Sequence, residues 1–528
     1  MISFFRNLQL TKLDFIVLAA IAALGIINLP YPLGDDQSLF ITGAQEMVRG
    51  KVLYRDFWDF KPPGIYYFFY IAGTLFGFSE IGIHLFELIC WLSLSLILII
   101  AFKHSNVFEN KFSASLAPLF TAGIFYSSCT VYFLTQVEAL INFFLFTTVW
   151  LAVASLKSET KKKSLMFFSG LMGGIVITFK LIFLPIVGVF WLSIFLNLIF
   201  KQKEKLSIIL TKYLLPLALG FFLPIIILFI YFLKMDLLGV VYKTFFVYPP
   251  RLVTEIPVGG FSKLYNLFLW YIDKFYPMLA LATFGIFIIL WYKRNLILLN
   301  LIFWLILGTI IIIITRTSWW DYHLQLLNVP VGILFLTSID FLIYGVKKMN
   351  FVNSWKGKIV LVLTFFILFF PTIHEAAGKT KFFIKYVSAQ TSESRKEVIA
   401  SLRAKENDYP YVYRNLDILT EPESIQGEIY VIGLPLFYYL SGRHPAVPLN
   451  GWVLSLILPE QWVKLNEQIL KNKPVYIFLD SGYWKLIPDL SSETVKLIKE
   501  NYSIVRYSKD GIWFLSKDEL RKPKASNH

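Results

Sequence analysis

The chain has 528 residues, of which 56% are hydrophobic and only 16% are charged, and its mean hydropathy is +0.62. Soluble domains average about 25% charged residues, so this composition excludes a soluble globular protein of this length. The formal net charge of +15 would suggest nucleic-acid binding in a soluble protein. In a chain this apolar, lysines and arginines are typical of the basic loops that orient membrane helices, and we expect no nucleic-acid partner.

Long apolar runs predict a polytopic α-helical membrane protein, because a helix needs about 20 mostly apolar residues to cross a bilayer. About eleven segments qualify, two or three of them marginally. The first, Leu13–Leu29, has no small-residue cleavage motif and is predicted to be a retained span. The shorter apolar stretch Pro62–Phe78 is predicted to be interfacial or re-entrant. The other predicted spans are Glu80–Phe102, Phe112–Ser128, Val137–Leu156, Leu165–Phe179, Leu181–Phe200, Tyr213–Leu233, Phe275–Tyr292, Asn295–Ile314, Leu324–Tyr344 and Lys358–Ile373.

Basic residues occur in alternate loops, as the positive-inside rule requires. With the N-terminus in the cytoplasm, the basic loops that fall inside are Lys103–Lys111, Lys157–Lys163, Lys201–Lys205, Lys293–Arg294 and Lys347–Lys358. An odd number of spans then places the C-terminal segment outside. We therefore expect a transmembrane module over residues 1–373 and an extracytoplasmic domain over residues 374–528, in a multi-pass protein of the plasma or inner membrane.

The C-terminal segment has the composition of a small α/β domain. Ile429–Pro435 and Val475–Asp480 are short runs of β-branched and aromatic residues flanked by Gly and Pro, which is typical of buried strands. Ser491–Tyr502 begins with a helix-capping serine and continues as an amphipathic run. Tyr502–Leu515 is predicted to be a hairpin turning at Asp510–Gly511. The charged stretch Glu393–Asp408 is predicted to be helical.

The first outer loop, residues 30–79, is rich in charges of both signs. Asp35 and Asp36 precede a predicted amphipathic helix, Gln37–Val48, which would lie flat on the membrane. Further along, Pro62 and Pro63 fix a rigid turn. Acidic residues in a loop are often only helix caps, and that interpretation remains open for the two aspartates.

Ionisable residues also stand at the predicted outer ends of later spans. Glu138 starts the fourth span, Lys180 lies in the short connection between the fifth and sixth, and Asp321 and His323 open the tenth. Charges at a membrane boundary are costly and usually pair or serve a site. The plainer alternatives are that Lys180 snorkels to the interface, Glu138 caps a helix and His323 is a packed interfacial histidine.

The first loop resembles that of the GT-C glycosyltransferases, which include bacterial relatives of the protein O-mannosyltransferases and the lipid A aminoarabinose transferase. The likeness is carried by DDQSLFITGAQEMVRGKVLYRDFWDFKPPGIYYFFYIAGTLFG, in which Asp35 matches the family's first Asp and Asp36 replaces its Glu. Asp59 and Lys61 match the acidic residue and lysine before the prolines. Weaker likenesses are found in VEALINFFLF with Glu138, GLMGGIVITFKLIFLP with Lys180, DYHLQLLNVP with His323, and IYVIGLPLFYYLSGRHPA in the C-terminal segment.

The resemblance implies an inverting glycosyltransferase that takes a hexosyl or pentosyl group from a polyprenyl-phosphate donor. The acceptor would be a lipid, a glycan or a protein outside the cytoplasm. Asp35 is the candidate base, with Asp36 as its rival, and the leaving phosphate needs cations rather than a general acid. The remaining roles implied are a catalytic or orienting acid at Glu138, donor phosphate binding by Lys61, Arg55 and Lys180, and substrate binding by Asp59, His323 and Tyr66.

Two other functions remain open at the level of the sequence. One is a transporter or flippase of lipid-linked sugars, although no paired, Gly/Pro-broken helices in matching halves are visible. The other is a non-catalytic membrane scaffold that presents the C-terminal domain. No ligand spacing predicts a bound metal, although a transient divalent cation at the donor phosphate is compatible with the chemistry.

Overall fold

The computed structural model describes residues 10–255, 260–315, 319–347, 355–405 and 408–521. Contacts divide the chain into two compact units, each assembled from segments distant in sequence. The first, called here the helical unit, contains Met1–Pro30, Glu80–Ile230 and Gly259–Ser388. The second, called the mixed unit, contains Tyr31–Ser79, Tyr231–Val258 and Ala389–His528.

Eight helices in the described part of the chain are long and apolar enough to cross a membrane, and each corresponds to a predicted span. They are Glu80–Ser105, Val137–Lys157, Lys162–Phe179, Leu181–Lys201, Leu206–Lys234, Phe261–Lys293, Leu296–Ile314 and Asp321–Gly345. Several begin or end in π-helical or 3₁₀ turns, and Pro277 lies within Phe261–Ile288 beside a kink at Phe275. The prediction of a polytopic helical membrane protein is confirmed, whereas the count of eleven spans stays a prediction.

The three remaining predicted spans have other forms. Lys12–Asn28 is a helix of 17 residues that begins at a capping box on Thr11. The predicted span Phe112–Ser128 is broken into Ser113–Leu116, a π-helical turn at Leu119–Gly123, and Ile124–Ser128. The predicted span Lys358–Ile373 lies inside one long helix, Trp355–Ser388.

Close backbone contacts hold the helix that precedes Lys180. A Cβ atom on Gly170 or Gly174 of helix Lys162–Phe179 would collide with backbone atoms of helix Leu215–Lys234. Small residues allow this approach, which is the usual way in which membrane helices gain packing energy without a hydrophobic effect between them.

The mixed unit contains a four-stranded sheet made of β1 (Ile429–Ile432), β2 (Tyr476–Asp480), β3 (Tyr502–Tyr507) and β4 (Gly511–Ser516). The strand order is β1-β2-β4-β3, with β1 and β2 parallel and the other pairs antiparallel. β1 and β4 are buried along their whole length, as their continuous apolar sequences indicate. The predicted small α/β domain, with its two strands and its hairpin, is confirmed.

Helices complete the mixed unit. Phe437, Phe478 and Trp513 form the centre of its core, with ring centroids 4.6 to 5.6 Å apart. The helices are Asp35–Val48, Pro63–Phe76, Leu238–Tyr242, Lys243–Val247 (π-helical), Tyr248–Glu255, Ser392–Arg403, Asp408–Thr420, Leu436–Ser441, Gly451–Leu456 (3₁₀), Pro459–Asn472, Ser481–Leu490, Ser492–Asn501 and Lys517–Leu520.

The first outer loop folds as part of the mixed unit rather than as a separate appendage. The backbone N–H of Trp58 donates to the carbonyl of Pro448 at 2.7 Å, and the amide of Asn450 donates to the carbonyl of Trp58 at 2.8 Å. The hydroxyl of Tyr409 donates to the carbonyl of Leu33 at 3.0 Å. The division of the chain into domains at residue 373 stays a prediction, since the helix Trp355–Ser388 continues through that position.

Candidate functional site

Asp35 and Asp36 form the first turn of helix Asp35–Val48, directly after the extended Gly34. The predicted amphipathic helix is present and includes both aspartates. Because the first N–H groups of a helix carry partial positive charge, two carboxylates are favourable at this position. Phe40 and Ala44 on this helix are fully buried within the mixed unit, whereas Val48 at its end is exposed.

Lys61 forms an ion pair with Asp36, with 2.8 Å between Nζ and a carboxylate oxygen. Its ammonium group also lies 4.8 Å from the centroid of the Phe40 ring. Both members of the pair are largely covered, with side-chain exposures of 24% and 14%. The backbone of Lys61 is fixed as well, because its carbonyl accepts a hydrogen bond of 2.8 Å from the hydroxyl of Tyr54.

Asp59 and Tyr66 are joined by a hydrogen bond of 2.8 Å from the tyrosine hydroxyl to the carboxylate, and both side chains are buried. Burial raises the pKa of Asp59, while Lys61 and the Tyr66 hydroxyl act in the opposite direction without cancelling it. The ring of Tyr66 packs edge-on against Phe40 and Phe57, at 5.7 and 5.8 Å. The structure therefore brings Asp36, Lys61, Asp59 and Tyr66 into one connected group.

Asp35 has a partner, Asp408, that is not among the candidate residues predicted from the sequence. Its carboxyl group is hydrogen-bonded to that of Asp408, the first residue of helix Asp408–Thr420. Burial, followed by the hydrogen bond and charge of Asp408 and the charge of Asp36, raises the pKa of Asp35 well above its usual range. No local pattern marks Asp408, which stands at the end of a charged stretch that is typical of a solvated helix.

Arg55 is placed differently from the other candidates. Its guanidinium group is half-exposed and pairs with the adjacent Asp56 at 3.0 Å. This pairing raises the pKa of Arg55 and lowers that of Asp56. The side chain is thus held at the surface of the loop by its neighbour in sequence.

In the helical unit, Glu138, Lys180 and His323 come together from three separate segments. Glu138 lies in the first turn of helix Val137–Lys157, and Lys180 lies in the extended link after helix Lys162–Phe179. The ammonium group of Lys180 is ion-paired to Glu138, and Nε2 of His323 lies 3.6 Å from the same carboxylate oxygen. Glu138 and His323 are both buried. This cluster lines a small cavity together with Phe183, Ile311 and Thr315.

A further buried carboxylate, Glu87, lies on helix Glu80–Ser105 with its side chain fully covered. Glu87 belongs to none of the motifs described above, although an acidic residue inside an apolar run is a usable signal of a functional site. Within the described ranges, no three His, Cys, Asp or Glu side chains are grouped so that they could hold a metal ion.

Comparison with known proteins connects this fold to solved structures. No protein-family model and no curated protein matches the sequence. The crystal structure of ArnT from Cupriavidus metallidurans bound to undecaprenyl phosphate matches with a TM-score of 0.58 at 11% identity, over 97% of this chain and 99% of that chain. The same protein in the apo state matches with a TM-score of 0.53 at 12% identity, over 97% and 98%. The likeness confirms the fold that the first-loop motif predicted.

Proposed function

We propose that this chain, which has the fold of the GT-C glycosyltransferases, transfers a sugar from a polyprenyl-phosphate donor to an acceptor outside the cytoplasm. The observation that carries the proposal is the fold itself, which extends over 97% of the chain and whose neighbour was solved with undecaprenyl phosphate bound. A second support for the proposal is that the described part of the chain contains the charged side chains that such a transfer needs. A flippase of lipid-linked sugars is less favoured, because the neighbouring fold is that of a transferase family.

Lys61 and Lys180 are proposed to bind the donor phosphate. Each is a largely covered ammonium group held by one carboxylate, Asp36 in the first case and Glu138 in the second. A phosphate oxygen entering beside either lysine would meet a cation whose position is already fixed. Arg55 is proposed to assist at the surface of the loop, where its guanidinium group is half-exposed.

Asp35 is proposed to be the base that accepts the proton of the acceptor hydroxyl. Its rival Asp36 is engaged by Lys61, and an ion-paired carboxylate is a weaker base. Asp35 has a raised pKa, so its carboxylate is a stronger base than an ordinary aspartate. The freed electron pair of the acceptor oxygen attacks the anomeric carbon, the bond to the phosphate oxygen breaks, and the configuration inverts. The phosphate leaves as an anion and needs no general acid.

Asp59, Tyr66 and His323 are proposed to bind substrate hydroxyls, with Glu138 orienting Lys180 and His323. Asp59 and Tyr66 form a buried hydrogen-bonded pair close in sequence to Lys61, and a carboxylate and a phenol hydroxyl are groups that can hydrogen-bond a sugar hydroxyl. A transient divalent cation at the donor phosphate stays compatible with this chemistry, and the acceptor is proposed to be a lipid, a glycan or a protein.

The test is an assay of the purified protein with synthetic polyprenyl-phosphate sugars, hexoses and pentoses, and a lipid acceptor fraction. We expect release of polyprenyl phosphate that depends on acceptor and is lost in Asp35→Asn. A protein that moved the lipid-linked sugar across vesicle bilayers without releasing polyprenyl phosphate would instead be a flippase, and the proposal would be wrong.

A further inference from the structure

The buried carboxylate of Glu87 makes one specific contact inside the helical unit. One of its oxygens accepts a hydrogen bond of 2.7 Å from the backbone N–H of Thr135. The other oxygen is buried and has no hydrogen-bond partner within the described residues. A carboxylate in this position is costly, because it has left water for a membrane helix and recovers only part of its hydrogen bonding. A residue kept at such a cost usually performs a specific task.

Thr135 has an unusual backbone conformation, with φ at +54° in the left-handed region. Threonine is β-branched, and its Cβ substituents make this region unfavourable. The residue is fully buried, and its hydroxyl donates to the carbonyl of Leu134 at 2.8 Å. Strained positions of this kind persist only where the surrounding structure enforces them. The hydrogen bond that the Thr135 N–H donates to Glu87 is a contact that enforces the strain directly.

The turn at Thr135 decides where the next helix begins. Gln136 follows in an extended conformation at the N-cap position of helix Val137–Lys157, so that Glu138 lies in the first turn. Any change of the dihedral angles at Thr135 would redirect these residues. Glu138 is the carboxylate that holds Lys180 and approaches His323. The chain of contacts therefore runs from Glu87 through a strained peptide to the cluster that is proposed to bind the donor phosphate.

We propose that Glu87 is a positioning residue that holds Thr135 in its left-handed conformation and thereby places Glu138 against Lys180 and His323. This proposal rests on the proposed function for its consequence, since it assigns to Glu87 an indirect role in donor binding. The interaction between Glu87 and Thr135 itself is independent of that function.

Glycine provides a test, because it adopts the left-handed region without a steric penalty. Glu87→Ala is expected to weaken binding of polyprenyl phosphate by roughly tenfold to a hundredfold, as misplaced supporting groups typically do. Thr135→Gly in the Glu87→Ala background is expected to restore most of that affinity. Glu87→Gln keeps an acceptor oxygen and should stay close to the original affinity. The matched control is Thr130→Gly in the Glu87→Ala background, at an exposed threonine of the same loop, which should rescue nothing.

A second measurement separates positioning from a merely structural role. In a Lys180→Met background, Glu87→Ala should cause no further loss of affinity, because its effect passes through Lys180. Additive losses in the two variants would overturn the proposal. So would a Glu87→Ala, Thr135→Gly protein that is folded but as impaired as Glu87→Ala alone.

Hydrogen exchange tests the contact without any donor or transfer assay. The amide of Thr135 should exchange slowly in the original protein and faster in Glu87→Ala, and it should stay fast in the glycine double variant, which regains the turn but not the acceptor. If the original protein bound no polyprenyl phosphate, the proposed function would fail while this exchange pattern remained. Unchanged exchange in Glu87→Ala would instead refute the contact.

Discussion

The carboxyl groups of Asp35 and Asp408 are hydrogen-bonded to each other, although one belongs to the first outer loop and the other to the C-terminal segment. The negative charge of a carboxylate at Asp408 disfavours ionisation of Asp35 beside it. Since burial and Asp408 together raise the pKa of Asp35, the base proposed for the reaction is protonated at a pH where an ordinary aspartate is already ionised.

The first prediction concerns pH. A base acts only when ionised, so the transfer rate should rise as pH increases through the raised pKa of Asp35. Asp408→Asn removes one of the causes that raise the pKa of Asp35. The acidic limb of the pH–rate profile should therefore move to lower pH. Asp417→Asn, on the same helix but paired with Arg506, is the control and should leave the limb in place. If the acidic limb did not move in Asp408→Asn, Asp35 would not be the base in the rate-determining proton transfer.

The two neighbouring aspartates should respond differently to the same substitution. Asp35→Asn is expected to abolish transfer with little loss of stability, because asparagine is close in size to aspartate and its amide can still hydrogen-bond Asp408, but it is not a base. Asp36→Asn should keep appreciable turnover and should mainly weaken donor affinity, since Lys61 loses its ion-pair partner. Turnover numbers and thermal melting of both variants decide the assignment. Full transfer by a folded Asp35→Asn protein would contradict it.

The lysines should control donor binding. Lys61→Met and Lys180→Met are each expected to weaken polyprenyl-phosphate affinity by about tenfold or more, because a charge-assisted contact contributes about 1.5–3 kcal/mol. Lys180→Met also leaves Glu138 buried without its main partner, so the double variant Lys180→Met, Glu138→Gln checks whether misfolding explains the loss.

The control for the lysine variants is Lys473→Met, which removes one member of an exposed ion pair with Asp518 and should change neither stability nor affinity appreciably. Equilibrium binding of labelled polyprenyl phosphate to the detergent-solubilised protein gives the measurement. If neither Lys61→Met nor Lys180→Met changed this affinity, both lysines would be structural.

Topology is predicted from the basic loops and can be tested chemically. A cysteine placed at Thr160 should react with a membrane-impermeant thiol reagent only after the cells are permeabilised, and a cysteine at Lys509 should react in intact cells. Both positions are exposed in the structure. The unsubstituted chain gives the background, because Cys129 is buried and Cys90 lies within a predicted span. Labelling of both positions from the same side would show that the number of spans between them is even, and the predicted count would be wrong.

Much of the helical part of this fold follows from the sequence because the length and apolarity of a run decide whether a helix can cross a bilayer. The strands of the C-terminal segment were predictable for a similar reason, since β1 and β2 are short apolar runs and the hairpin of β3 and β4 is marked by Asp510 and Gly511 at its turn. Asp36, Asp59 and Lys61 all lie in the first outer loop, and this proximity in sequence made it possible to predict that they belong to one site. The broken segment over residues 112–128 was not predicted, because hydropathy does not register π-helical turns.

Other features depend on packing between distant segments, which no local pattern encodes. Asp408 resembles a solvated helix residue, and its contact with Asp35 exists only after the tertiary structure has formed. Thr135 gives no sign of its left-handed backbone, since threonine usually favours extended structure. The resemblance identified Glu138, Lys180 and His323 individually, while their shared carboxylate contact required the three-dimensional arrangement.

The mixed unit joins the earliest loop of the chain to its last segment, as the bond between Asn450 and Trp58 illustrates. Ribosomes make a protein from the N-terminus, so Asp35 is synthesised long before its partner Asp408 exists. The loop must wait in an incomplete state until residues beyond Ala389 have been made. A truncated or prematurely released chain would therefore carry an unfinished site, and quality-control proteases would have a structural reason to recognise it.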